Sequence, residues 1–153
     1  NKYVSLQITN YGWKPLNDLF CSFEKLEYLQ MSFSLLEITD SSFKNLKGGI
    51  SSLSQLKRID FCFQLSYLDD NLMLYLKEAL INLQQLEGMR INFYDVLGFT
   101  DVMLNYIKDI LFNLPKLEEI DLGLECVDGI SEAGYSQFRK EVLQFKNWKN
   151  CSV

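Results

Sequence analysis

A sequence frame that recurs every 30 or 31 residues constrains the fold of this chain more than any other feature. The frame reads L-x-x-Φ-x-Φ-x-Φ, where Φ is apolar, and its first leucines are Leu26, Leu56, Leu86 and Leu117. Within each frame apolar and polar residues alternate, which is typical of a half-buried β-strand. Four copies in phase indicate that one strand-forming unit is stacked repeatedly along the chain.

The same pattern continues at both ends of the chain. Upstream, Tyr3 aligns with Leu26 at a shorter spacing of 23 residues, and downstream Trp148 follows Leu117 by 31 residues. We therefore predict six strands, near residues 3–9, 26–33, 56–63, 86–93, 117–124 and 148–153. Residues 1–153 are expected to form one domain. Because both ends fall on a strand, this domain is expected to be a fragment of a longer array.

The residues between the strands have helical periodicity. Residues 69–83 and 100–114 carry apolar side chains at helical spacings and begin with Asp or Thr, which can cap a helix. The unit with Gly48 and Gly49 is expected to contain a short or broken helix, because a glycine costs on the order of 1 kcal/mol in a helix interior. The segment NYGWKPLNDLFCSF is expected to form one or two turns.

Together these residues resemble the leucine-rich repeat family, in its strand-plus-helix subtype of ribonuclease-inhibitor type. The family signature L-x-x-L-x-L is matched in its spacing by all four central frames. The resemblance implies an α/β leucine-rich-repeat solenoid, with a curved parallel sheet on the concave side and helices on the convex side. The Asn or Cys that the family places after the strand is absent, so the turns are expected to satisfy their backbone differently. The residues found there are Ser34, Gln64, Tyr94 and Glu125.

An open doubly wound α/β sheet is the competing interpretation, since it also alternates strands with helices. The strands of such a sheet are buried on both faces and nearly all apolar, whereas these strands alternate and recur at constant spacing. The last apolar position of the frame is expected to form a column inside the bend of the sheet. Its residues are Phe33, Phe63, Phe93 and Leu124.

The polar residues between the frame positions are expected to face outward on the concave side. Eight of them are candidate partner-binding residues: Tyr28, Gln30, Arg58, Asp60, Arg90, Asn92, Glu119 and Asp121. One interpretation is that the charges form cross-strand pairs that keep an exposed sheet soluble. The other is a binding face anchored by Arg58, Arg90 and Tyr28, because Arg and Tyr dominate interface energetics. Gly88 and Gly123 are expected to leave gaps that a partner side chain could occupy.

Composition narrows the function classes. The formal charge is −5 and the Lys and Arg residues are scattered, which argues against direct nucleic-acid binding. The chain has no histidine, no C-x-x-C pair and no phosphate-binding or nucleophile motif, so we expect no catalysis, metal or cofactor. The four cysteines are interpreted as reduced thiols of an intracellular, cytoplasmic protein, with a disulfide pair as the alternative. No apolar run approaches the roughly 18 residues of a membrane span, so no membrane insertion is expected.

The expected function is that of a non-catalytic protein–protein interaction module. As a scaffold or adaptor it would bind a protein through the concave sheet or the adjoining loops, a role that the family resemblance implies. The alternative is an architectural subunit of a large assembly, such as a ciliary, ribosomal or respiratory complex. In either case neighbouring repeats or subunits are expected to contact the ends of the stack, because terminal repeats need a cap.

Overall fold

The computed structural model describes residues 2–7, 13–34, 40–145 and 148–153, so positions 8 and 9 of the first predicted strand lie outside the described residues. These ranges form an α/β structure of six strands alternating with five helices. The strands are β1 Tyr3–Gln7, β2 Tyr28–Ser34, β3 Arg58–Gln64, β4 Gly88–Tyr94, β5 Glu119–Glu125 and β6 Asn150–Ser152. The helices are α1 Trp13–Cys21, α2 Asp40–Ser51, α3 Asp70–Leu80, α4 Asp101–Asn113 and α5 Glu132–Phe145. None of the described helices combines the length and the apolar character that crossing a bilayer requires.

All six strands belong to one parallel sheet whose order follows the chain. The repeated frame sets the register of the central strands, since Leu29, Ile59, Met89 and Ile120 lie level with one another on successive strands. A doubly wound sheet reverses its strand order at one point, and these six strands show no reversal. The predicted α/β class, with strands and helices in alternation, is therefore confirmed.

The helices form one layer against one face of the sheet. Each helix contacts the next one along the chain, from α1 through α5. Helices on opposite faces would be separated by the sheet and could not make these contacts. The other face is therefore not covered by any described helix, whereas all-parallel sheets usually have both faces covered.

The frame residues form the core between the sheet and the helix layer. Phe33, Phe63 and Phe93 are fully buried, and their rings stack with centroid distances of 4.7 Å and 5.3 Å. These distances follow the spacing of about 4.8 Å between neighbouring strands. The predicted column is confirmed, and Leu124 continues it beside Phe93 on β5.

The four central strands begin two residues later, and end one residue later, than predicted. Leu56, the first leucine of its frame, is buried in the turn that precedes β3. The N–H groups of Lys57 and Arg58 donate to the Glu27 carbonyl at 2.9 Å and 3.1 Å, which ties this turn to the previous unit. The start of the frame therefore forms a turn, and only its alternating part forms a strand.

A residue with left-handed backbone follows each of β3, β4 and β5. Leu65, Asp95 and Cys126 have φ values of 50°, 52° and 55°. This conformation is uncommon for residues other than glycine. The N–H of Leu65 donates to the Tyr94 carbonyl and that of Asp95 to the Glu125 carbonyl, both at 3.1 Å. Main-chain hydrogen bonds thus join the turns after β3 and β4 to the end of the next strand.

Polar side chains link the start of one helix to the start of the next. Asp69 and Thr100 cap the first turns of α3 and α4. The Thr100 hydroxyl also donates to Asp70 at 2.9 Å. One unit further along, Ser131 donates to Asp101 through its hydroxyl at 2.6 Å and its N–H at 2.9 Å. Successive units are therefore joined by hydrogen bonds at this end of the helix layer as well as by the sheet.

The Asp101 carboxylate is expected to make stability depend on pH. The hydroxyl and the N–H of Ser131 hold the pKa of Asp101 below its usual value. Such a carboxylate stabilises the fold above its unfolded-state pKa of about 3.9, and this contribution is lost as the pH falls through the folded-state pKa. Thermal unfolding of the unchanged chain and of Asp101→Asn should differ most at neutral pH and converge at acidic pH. A difference that is independent of pH would contradict the prediction.

Helices α1 and α2 are longer and more regular than predicted. Helix α1 has nine residues, about two and a half turns, and α2 runs without a break through Gly48 and Gly49. The two helices pack closely where the Gly49 N–H donates to the side-chain oxygen of Asn17 at 2.7 Å. A Cβ on Gly49 would lie 2.8 Å from the Asn17 carbonyl oxygen. The expectation of a broken helix is wrong because it counted the local cost of glycine without the close packing that glycine permits.

Candidate functional site

The uncovered face of the sheet, named the open face below, is formed by alternate residues of the strands. Across β2 to β6 its first three rows are Tyr28, Arg58, Gly88, Glu119 and Asn150; then Gln30, Asp60, Arg90, Asp121 and Ser152; then Ser32, Cys62, Asn92 and Gly123. All eight predicted partner-binding residues lie in these rows. Their neighbours across the strands are those that the frame predicts.

The first strand departs from the predicted register by two residues. Val4 pairs with Leu29, whereas the frame predicts Leu6 at this level. Tyr3 therefore lies on the open face instead of in the core, is 52% exposed, and donates its hydroxyl to Gln30 at 3.0 Å. Since a shift of two residues leaves Leu6 on the core face in both registers, the alternating pattern alone could not distinguish them.

Arg90 lies near the middle of the open face between two carboxylates. Its Nε donates to Asp121 at 2.8 Å and its Nη1 to Asp60 at 3.5 Å. The hydrogen bond to Asp121 and the charge of Asp60 raise the pKa of Arg90. Tyr28 donates to the same Asp60 oxygen at 3.4 Å, and burial followed by the Asp60 charge raises the pKa of Tyr28. The result is a charged guanidinium between two carboxylates, with a neutral phenol beside it.

Arg58 reaches across a whole strand to contact Glu119. Its guanidinium passes over Gly88, where a Cβ would lie only 3.2 Å away, and pairs with the Glu119 carboxylate. Asn92 lies over Gly123 in the same way, with its Oδ1 at 2.6 Å from the position of a Cβ. The expectation that these glycines leave gaps for a partner is wrong, because side chains of this chain already occupy both gaps.

The cross-strand charge pairs of the first interpretation are therefore present. Both arginines are paired, yet Arg58 and Arg90 still expose 57% and 54% of their side chains. Exposed ion pairs contribute about 0.2–1 kcal/mol each. Because exchanging such a pair costs so little, a carboxylate of a partner can compete for either arginine.

Two shallow depressions lie on the open face. The first, of about 140 Å³, is bordered by Tyr28, Arg58, Arg90 and their carboxylate partners. Small-molecule sites usually have volumes of about 300–1,000 Å³ and mostly apolar walls, so this polar depression suits side chains of a macromolecule better than a small ligand. The second, of about 330 Å³, lies at the C-terminal ends of β3 to β5. Its walls are Cys62, Gln64, Asn92, Phe93, Tyr94, Gly123 and Glu125.

A fourth row of the open face, formed by Gln64, Tyr94 and Glu125, was missed by the sequence prediction, which placed these residues in the turn. The strands run one residue past the predicted frame, so the alternation brings these side chains to the open face. Tyr94 is 44% exposed there. Extending the period of two by one step beyond Phe93 would have identified the row.

The open face holds one thiol, that of Cys62, and all four cysteines of the chain are free. Burial, with a smaller contribution from the charge of Asp60, raises the pKa of the Cys62 thiol. A raised pKa keeps a thiol protonated and weakly nucleophilic near neutral pH. Within the ranges that the structure describes, no three Cys, Asp or Glu side chains come together in a way that could hold a metal ion.

Comparisons with known proteins do not assign the chain to a family. No protein-family model matches the sequence. A search of curated proteins likewise finds no match. Functional inference therefore depends on the repeat, the fold and the geometry of the open face.

Proposed function

We propose that the chain forms a leucine-rich-repeat solenoid of the ribonuclease-inhibitor-like subtype, with the open face as its concave side. Four frames in phase, a strand order that follows the chain, and helices that each pack on the next support this proposal. A single strand-and-helix unit cannot bury its own apolar face. Stacked units do so by building one continuous core, as the column through Phe33, Phe63 and Phe93 does here.

The proposed function of this solenoid is non-catalytic protein–protein interaction, as a scaffold or adaptor. The observation that carries the proposal is the open face itself: a parallel sheet with one face uncovered and lined by polar side chains. Parallel sheets normally bury both faces, so an uncovered one provides a broad surface for a macromolecule. Its rows of alternate side chains offer many contacts but no deep cavity.

Arg58, Arg90 and Tyr28 are the proposed anchors on this surface. Arginine and tyrosine contribute most often to the few strong contacts of an interface. The paired carboxylates, Asp60, Asp121 and Glu119, hold the arginines in extended positions before a partner arrives. Side chains that are already ordered lose less conformational entropy on binding. A partner segment with carboxylates and hydrogen-bond acceptors would fit this arrangement.

The proposal is tested by reversing the charge of both anchors. The chain carrying Arg58→Glu and Arg90→Glu is immobilised beside the unchanged chain, and proteins captured from an extract of the source cells are quantified. We expect at least one protein, held in stoichiometric amount by the unchanged chain, to fall by about tenfold or more on the variant, since truncating an anchor commonly costs more than 1.4 kcal/mol.

A variant with Lys44→Glu and Arg139→Glu is the matched control, because it makes the same charge change at exposed positions of α2 and α5. Urea unfolding verifies that both variants remain folded. Capture lost in the open-face variant and kept in the control supports the proposal. Equal capture by all three chains would refute binding through the open face and favour the architectural role. Equal loss in both variants would show a net-charge effect and refute the proposal as well.

A further inference from the structure

Four large apolar side chains are exposed together at the C-terminal ends of β3 and β4. Leu65, Tyr67, Tyr94 and Leu97, named the loop patch below, are 45%, 61%, 44% and 53% exposed. Tyr67 pairs with Leu97 in a parallel β-bridge, and the Leu65 N–H donates to the Tyr94 carbonyl at 3.1 Å. The two loop segments that carry these side chains therefore run side by side. Contiguous apolar patches on a folded surface often mark interaction sites.

The loop patch lies on a buried base. In the same two loops Leu68, Val96 and Phe99 are fully buried and belong to the hydrophobic core. The Tyr67 ring packs against the backbone at Gly98, where a Cβ would lie 2.8 Å from the ring. These buried residues already fill the core beneath the loops. The four exposed side chains of the loop patch are therefore not needed for core packing and are available to a partner.

The charged residues around the loop patch are all acidic. No Lys or Arg occurs in residues 59–76, 91–107 or 117–138. These stretches cover the parts of β3 and β4 that follow Arg58 and Arg90, all of β5, and the loops after the three strands. The acidic residues of these loops, strand ends and helix starts are Asp69, Asp70, Asp95, Asp101, Glu125, Asp128 and Glu132. None of these seven described residues takes part in an ion pair. The positive end of a helix dipole offsets part of the negative charge of the acidic residues at the helix starts. The negative charges of Asp95, Glu125 and Asp128 lie outside the helices and are offset least.

We propose that the loop patch docks a basic protein segment in which an aromatic or aliphatic side chain is flanked by Lys or Arg. The apolar side chain packs on the exposed Tyr67 and Leu97, next to the depression of about 330 Å³ that Tyr94 and Glu125 border. The flanking cations approach Asp95, Glu125 and Asp128. Burial of the apolar anchor supplies the affinity, and the complementary charge supplies specificity and a fast association rate. Tyr94 and this depression lie at the C-terminal edge of the open face, and none of the residues that line it borders the depression around Arg58 and Arg90. The loop patch therefore extends the proposed function without depending on those anchors.

Charge excludes the other occupants of such a patch. A two-fold contact between two copies of the chain would bring the same acidic residues together across the interface. Phosphates of nucleic acid and anionic lipid head groups would be repelled in the same way. A partner of opposite charge with an apolar anchor is the occupant that matches both properties of the surface.

A phage-displayed library of random peptides tests the inference. The library is selected on the immobilised chain and counter-selected on a variant with Tyr67→Ser and Leu97→Ser. Both side chains are more than half exposed, so the variant is expected to unfold at the same urea concentration as the unchanged chain. We expect the enriched peptides to carry net positive charge and at least one aromatic or aliphatic residue. One such peptide, made synthetically, should bind the variant about tenfold or more weakly.

Two further variants identify the surface. Asp95→Asn with Glu125→Gln removes two negative charges that attract the basic peptide. This variant should bind the same peptide more weakly, and its affinity should depend less on salt concentration. Leu143→Ser, at an exposed leucine of α5, should leave binding unchanged. Enrichment of acidic peptides, equal binding to the Tyr67→Ser, Leu97→Ser variant, an equal loss on Leu143→Ser, or no enrichment at all would each overturn the inference.

Discussion

Replacing Phe63 by alanine is expected to lower the free energy of unfolding by about 3–5 kcal/mol. The Phe63 ring is fully buried and stacks between Phe33 at 4.7 Å and Phe93 at 5.3 Å, with Phe43 from α2 at 6.2 Å. Removing it leaves a cavity in the middle of the column, between units that bury their apolar surface only against one another. Equilibrium urea unfolding followed by circular dichroism measures the change.

Tyr67→Ala serves as the control for this prediction, since it also removes an aromatic ring but from a side chain that is 61% exposed. Its effect on the free energy of unfolding should stay within about 0.5 kcal/mol, as for most surface substitutions. A loss below about 1 kcal/mol for Phe63→Ala would mean that the stacked column is not a main source of stability. In that case the proposal of a continuous repeat core would lose its strongest physical support.

The register of the central strands followed from the sequence because two independent periods agree there. The alternation of two assigns each side chain to a face, and the spacing of 30 or 31 residues assigns its level across the sheet. At β1 the spacing drops to 23 residues and only the alternation remains. A shift of two residues leaves the alternation unchanged. The prediction therefore aligned Tyr3 with the buried Leu26, whereas in the structure Tyr3 pairs with Tyr28 and lies on the open face.

The residues of the open face could be predicted from the sequence as well as the register of the central strands could. Those of the loop patch could not. The rows through Arg58 and Arg90 follow directly from the alternation. Beyond the strands, the left-handed backbone at Leu65 and Asp95 ends that alternation and redirects the chain. Apolar residues such as Leu97 then carry no sequence signal that separates an exposed position from a buried one. Their exposure became evident only from the packing of the loops on the core.

The two surfaces therefore differ in how their charge is balanced, and this difference bears on function. On the open face Arg90 is paired with carboxylates of both neighbouring strands and Arg58 with a carboxylate two strands away, so a partner would have to exchange existing pairs. Around the loop patch the acidic residues have no cationic partner among the described residues. Complementary charge there is gained on binding without breaking a pair, and the association rate should depend strongly on salt.

Substituting alanine for Gly49 is expected to lower the free energy of unfolding by about 1–3 kcal/mol, the usual cost of overpacking. A Cβ at this position would lie 2.8 Å from the Asn17 carbonyl oxygen and 3.0 Å from the Phe20 Cβ, so α1 must move away from α2. The backbone oxygen cannot give way as a flexible side chain can. The Gly49 N–H would also lose its 2.7 Å bond to the Asn17 side chain if the helices separate. Urea unfolding measures the effect.

Gly48→Ala is the matched control, at the preceding residue of the same helix. Its Cβ would meet only the side-chain oxygen of Asn17, at 3.4 Å, which is ordinary contact. Alanine should therefore stabilise the chain by up to about 1 kcal/mol through its higher helix propensity. Both glycines have the same intrinsic helix propensity and differ in their distance from α1. Changes of opposite sign in the free energy of unfolding would therefore show that close packing against α1, and not helix propensity, requires glycine at position 49. If both substitutions stabilised the chain, the approach of α1 to α2 could not be the constraint that keeps Gly49 in place.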